Sequence, residues 1–179
     1  MEKNCVILKW DPDISSYSMI RFCSDILDKN NTSDWSIYEY DKVKKGDQFF
    51  MLKVGTGTCG IVASGEITAD PAAGEDWRGT QNIVYYADYC CEIMVNPDKL
   101  PIIDSSILEK SITDFNWRGG HSGTVLNELQ TAELNRIYRS YLLKNAVCFD
   151  KRLKTLAKRG AYNYHLYIDE KLLKQILSQ

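Results

Sequence analysis

Apolar positions along this chain fall into short runs whose spacing changes from one stretch to the next, with polar, glycine-bearing or proline-bearing segments between them. Val6-Ile7-Leu8 is a continuous run that predicts a short first strand, ended by the turn signals of Trp10-Asp11-Pro12-Asp13. Met19, Phe22, Cys23 and Ile26 recur at i, i+3, i+4 and i+7, which predicts a helix from about Ser15 to Leu27 with one apolar stripe. Lys45-Gly46-Asp47 then opens an apolar strand ending near Leu52, and from Ile61 to Ile67 apolar and polar positions alternate with the period of a half-buried strand. Ile83 to Ala87 and Cys90 to Val95, rich in Tyr, Ile and Val, predict two further strands, closed off by Asn96-Pro97. Leu134, Ile137, Tyr138, Tyr141 and Leu142 trace the clearest helical stripe, behind a cap expected at Thr131. Strands separated by loops, with helices near the two ends, point to an α+β fold or small barrel with helices outside, and not to alternating βαβ units.

Composition narrows the class. With 179 residues, 44% of them apolar and 26% charged, the chain has the balance of a folded globular domain with room for a real core. Its apolar runs are far too short to span a bilayer, and the opening Met1-Glu2-Lys3-Asn4 lacks the regions of a signal peptide, so the expected location is the cytoplasm, with no membrane partner. Six cysteines stand among apolar neighbours without a CxxC spacing, and Cys90-Cys91 in a strand would face opposite sides, so reduced core thiols are expected, not a metal site or a disulfide framework.

The formal net charge of −2 hides an asymmetry: residues 144–179 carry a balance of +5, which leaves −7 on residues 1–143. The expected organisation is a main domain over 1–143 and a basic C-terminal extension over 144–179 with strand and helix patterns of its own. Within the extension, Lys151, Arg152, Lys154, Lys158 and Arg159 form a run that either grips a phosphate backbone or docks as a solvated face on the acidic main domain.

Several landmarks occur in a fixed order: a first strand running into Trp10-Asp11-Pro12, then Asp34-Trp35, then Lys45-Gly46-Asp47, then Gly60-Ile61-Val62-Ala63-Ser64-Gly65. These are followed by Asp70-Pro71, by Pro97-Asp98-Lys99-Leu100, and by Trp117 to Gly123. In this order, across about 130 residues, the chain resembles the EVE domains of the PUA-like superfamily, relatives of the YTH and ASCH domains. The resemblance implies a PUA-like pseudo-barrel and a non-catalytic DNA- or RNA-binding module that takes a modified or flipped base in an aromatic pocket, without a cofactor. Trp35 matches the family's tryptophan before the Gly-Asp strand and Trp117 the one before its Ser-Gly element, here Ser122-Gly123, so both are expected as stacking walls.

The same chemistry follows from what a flipped base presents, two π faces and a polar edge. Ser36, His121, Ser122 and Gly123 are candidates to meet that edge or a phosphate, because the Gly119-Gly120-His121-Ser122-Gly123 loop frees backbone N–H groups. Trp10 is a further candidate wall, set against the alternative that it caps the first strand, and Trp77 lies in a surface-like Gly74–Gly79 loop that reads as a lid or as nothing functional. The segment Gly55-Thr56-Gly57-Thr58-Cys59-Gly60 lacks the Lys-Ser/Thr of a phosphate loop and runs into a strand. Two rival readings remain at this stage: a protein-interaction or adaptor module, with homodimerisation through the extension, and a small hydrolase using Cys90 or Cys91 with His121, or of the ASCH amidohydrolase type.

Overall fold

A computed structural model describes residues 2–99, 101–158 and 166–179, apart from the side chains of 147, 148 and 150–158. Strand β1, Cys5–Trp10, is buried at every position except Lys9, as a strand covered on both faces must be. It lies parallel to β3, Gln48–Lys53, and β3 in turn pairs antiparallel with β4, Gly60–Ile67. The turn before β3 uses Gly46 at φ +95°, the left-handed region that glycine enters without strain.

Helix α1, Met19–Asp28, starts later than its apolar spacing suggests. Residues 11–17 form a turn in which the Asp11 carbonyl accepts from Ile14 and Ser15, and the Ser18 side chain then caps the helix by accepting from the Arg21 N–H. Strand β2, Thr32–Ser36, absent from the sequence reading, follows and carries Trp35.

The central element is β6, Ile83–Val95, one continuous strand where two were expected. Asp88, which interrupts the apolar run, sits on the exposed face opposite Asp34 of β2, so the ladder continues through it. Along its length β6 pairs with β5 (Ala72–Glu75), β2, β4 and β9 (Leu166–Ile168). The sheet order is β2-β6-β4-β3-β1-β8, where β8 is Thr124–Val125, and β7, Ile103–Asp104, adds to β4. Register shifts at Met51/Leu52 and at Ser64/Gly65 help to curl this mixed sheet, and Gly65 lets two strands approach so closely that a Cβ there would lie 1.9 Å from the Cys90 carbonyl oxygen.

Helices α2 (Ser105–Ser111), α3 (Glu128–Lys158) and α4 (Glu170–Leu177) join α1 around the sheet, giving an α+β pseudo-barrel among the described residues. The cap of α3 is Asn127 and not Thr131: the Asn127 side chain accepts from Gln130 N–H while Gln130 Oε1 accepts from Asn127 N–H, each at 2.9 Å. Leu134, Tyr138 and Leu142 face the core, and the Tyr138 and Ser64 hydroxyls meet at 2.5 Å. Helix α3 runs through residue 143 without a break, and the segment beyond it supplies β9 to the same sheet and α4 against α3. No helix among the described residues is long and apolar enough to cross a membrane.

Candidate functional site

A cavity of about 320 Å³ opens beside β2, which ends the sheet path and so has an outer edge without a strand partner among the described residues. Its walls come from the turn at 11–17, the first turn of α1, β2, and the segment that carries Gly120 and Ser122. Trp77 and Tyr86 also line the cavity.

Trp35 is half-buried, and its position is over-determined. Its indole N–H donates to Ser122 Oγ at 2.9 Å, and its ring meets Tyr17 edge-on, with centroids 6.0 Å apart. Ser122 Oγ also accepts from the Lys9 backbone N–H at 2.8 Å, which leaves its own hydroxyl hydrogen free to donate. Gly123 makes this contact geometry accessible: it sits at φ +77°, and a Cβ there would lie 2.4 Å from Ile37 Cα, so the loop presses directly on the chain leaving β2.

Tyr86, the ladder partner of Ser36, donates its hydroxyl to the Glu75 carbonyl at 2.7 Å and accepts from the Trp77 N–H at 3.0 Å. Next to Trp77, the buried Asp76 carboxylate accepts from the Arg78 backbone and guanidinium and from Thr80. The Arg78 guanidinium foremost, and then the Thr80 hydroxyl, hold the Asp76 carboxyl well below the usual carboxylate range. Trp77 itself remains 46% exposed, an indole standing at the cavity mouth on a tied loop.

Charges of both signs reach the cavity. Lys9 Nζ donates to the carbonyls of Asn116, at 2.7 Å, and Gly119, and burial draws its pKa down. Arg21 lies over the Tyr17 ring, 5.7 Å from its centroid, and Asp11 and Asp34 complete the set. The Tyr17 hydroxyl donates to Asp25 at 2.6 Å; burial, then that bond, push its ionisation far above the ordinary tyrosine range.

Three of the sequence-predicted residues, Trp35, Ser36 and Ser122, come together here. Two do not serve as walls. Trp117 is 2% exposed, packs on Phe115 and donates its indole N–H to the Ile112 carbonyl at 2.9 Å, so it is a core residue. Trp10 is fully buried, stacks on Phe22 and donates to the Tyr17 carbonyl at 2.6 Å, which places it behind the site as a support. His121 does not line the cavity and stacks on Tyr38, and Gly123 is buried, with its N–H donating to the Ile7 carbonyl at 2.8 Å. The side chains of Lys151, Arg152, Lys154 and Lys158, and Arg159 altogether, lie outside the described residues.

No protein-family model matches this chain, and no curated protein does. Among solved structures, a hypothetical protein from Leishmania major superposes with a TM-score of 0.52 at 14% identity, over 78% of this chain and 96% of that one. A YTH domain from Zygosaccharomyces rouxii, solved in complex with N6-methyladenosine RNA, aligns with a TM-score of 0.40 at 8% identity, over 76% and 87%. At such identities the Leishmania likeness speaks for the fold alone.

Tyr17, Tyr86, Lys9 and Arg21 were missed as site residues, because no local pattern distinguishes a tyrosine in a turn or a strand that will border a cavity. Cys90 and Cys91 lie well away from an activated setting: burial pushes both thiols up, and Cys90 pairs with Thr32 at the opposite end of β2 from Ser36. Among the described residues no three His, Cys, Asp or Glu side chains are grouped to hold a metal ion.

Proposed function

We propose that this chain is a non-catalytic nucleic-acid-binding module that holds one flipped or modified base in the cavity beside β2. The observation that carries the reading is the pairing of a fixed indole, Trp35, with a second indole, Trp77, at one cavity that also presents the free hydroxyl hydrogen of Ser122. Aromatic faces supply stacking that tolerates any base, and a few fixed polar groups select among base edges. Lys9 and Arg21 bring positive charge to the same place, suited to the phosphates on either side of an extruded base. The order of motifs that resembles EVE domains supports the same assignment, and the basic run at 151–159 is proposed as a sequence-independent contact to the backbone.

Tryptophan emission offers a direct test. Short DNA and RNA strands with and without N6-methyladenine, 5-methylcytosine or 5-hydroxymethylcytosine are titrated at two salt concentrations. Quenching that depends on the modification and survives salt is the expected result, and it is lost in Trp35→Ala. Binding that is abolished by salt and indifferent to Trp35→Ala would remove the pocket from the account.

A further inference from the structure

Two face-stacked aromatic pairs stand on the chain segments next to residues that line the cavity. Tyr38 lies on His121 with centroids 3.8 Å apart and planes 6° from parallel, and Tyr40 lies on Tyr85 at 3.6 Å and 7°. The other aromatic contacts among the described residues, most of them in the core, meet at angles between 24° and 83°. Tyr38 is 59% exposed and Tyr40 43%, so the stacked pairs keep ring surface open to solvent.

Both pairs stand on segments that also supply lining residues of the cavity. His121 sits between Gly120 and Ser122, which line the cavity, and Tyr85 precedes Tyr86, which also lines it. The backbone ties them further: Tyr38 N–H donates to the Ser122 carbonyl at 3.1 Å, and Ile37 N–H donates to the Tyr85 carbonyl at 2.8 Å. The carboxylate between the two tyrosines, Glu39, is engaged by Lys42 and by the Val125 N–H at 2.6 Å, so it is already satisfied within the protein.

A flat aromatic face held beside a base pocket matches the π face of a further base, which every nucleotide carries. We propose that the Tyr38–His121 and Tyr40–Tyr85 pairs form a stacking platform for the bases flanking the one in the cavity. The ligand is then a single-stranded segment of several nucleotides, not a free nucleoside or an intact duplex. This rests on the reading of the cavity as a base pocket.

The test compares three probes at fixed salt, in parallel series centred on N6-methyladenine, 5-methylcytosine and 5-hydroxymethylcytosine. They are the nucleoside monophosphate, a single-stranded pentanucleotide, and the same pentanucleotide with abasic flanks. Removing Tyr38 or Tyr40, both exposed, leaves the core intact. The expected result is that the full pentanucleotide binds more tightly than the monophosphate. Tyr38→Ala and Tyr40→Ala each reduce that gain by at least about fivefold, as does removal of the flanking bases. Monophosphate binding stays unchanged in both variants and is lost in Trp35→Ala. A gain that survives abasic flanks comes from phosphates and overturns the platform, as does a gain untouched by the tyrosine changes, the result expected if these pairs instead meet a protein partner. Pentanucleotide binding that depends on the tyrosines but not on Trp35 would overturn the pocket and leave the platform. Absence of binding by all probes would overturn both.

Discussion

Four tryptophans divide this molecule into two regions that obey different rules. Around Trp10 and Trp117 the chain is closed: both rings are buried against other aromatics, and each indole N–H is used by a backbone carbonyl five or seven residues away. Around Trp35 and Trp77 it is open: one ring is half-buried with its N–H on a serine from a distant loop, and the other stands on a short turn braced by Tyr86. Residue type is the same in the two regions, so what separates a core tryptophan from a candidate reader is which chain segments reach its ring. Those segments are distant in sequence, Trp35 and Ser122 being 87 residues apart.

The largest effect is expected in the closed region. Trp117→Ala removes a fully enclosed ring and is expected to cost about 3–5 kcal/mol of stability, read by denaturant unfolding. A cost below about 1 kcal/mol would mean that the ring is not core. Gly123→Ala tests the joint between the regions. It forces a Cβ onto Ile37 Cα at a positive φ, and it should cost about 2 kcal/mol or more and weaken base binding as well, because Ser122 moves with it.

In the open region the effects invert. Trp35→Ala should lower stability by less than Trp117→Ala does, since part of its ring is open to solvent. The same change should reduce affinity for a bound base by about tenfold or more. Measuring unfolding and binding on the same preparation separates these two outcomes. Ser122→Ala should follow with a smaller loss in each, since it leaves the Trp35 and Lys9 N–H groups without their acceptor.

The smallest expected effect concerns pH. Asp76 titrates below its ordinary value because Arg78 and Thr80 favour the charged form. Its contribution to the Trp77 turn is therefore full above the unfolded carboxylate pKa of about 3.9 and is lost only as pH falls below that value. Binding should not change between pH 5 and pH 8 on account of this turn. The chemical shift of the Asp76 carboxyl, followed on acidification, would expose an ordinary midpoint if the turn were loose.

Some of this architecture could be read along the chain because it depends on neighbours in sequence. The apolar run of β1, the Gly46-Asp47 turn before β3 and the helical stripe of α3 follow from local periodicity and appear in the fold, whereas β4, expected as half-buried, is covered on both faces and buried at every position except Glu66. Even here the ends shifted: α1 begins at its Ser18 cap, and α3 at the Asn127–Gln130 reciprocal pair, where side-chain acceptors and not apolar spacing decide the first turn. Short strands such as β2, β5, β7 and β8 escaped, since two to five residues carry too little pattern to stand apart from a loop and are held by pairing with distant partners.

Read along the chain, local patterns carry the α+β class and the place of the main strands and helices, and they single out Trp35, Ser36 and Ser122 no more than Trp10, Trp117, His121 and Gly123. Folding settles that Trp10 and Trp117 are buried, that Trp77 and Tyr86 line the same cavity as Trp35, and that His121 pairs with Tyr38 outside that lining. The reason is physical. Propensity and periodicity act between residues a few positions apart, whereas the burial of a ring and the partner of its N–H are set by whichever segments the curled sheet brings alongside.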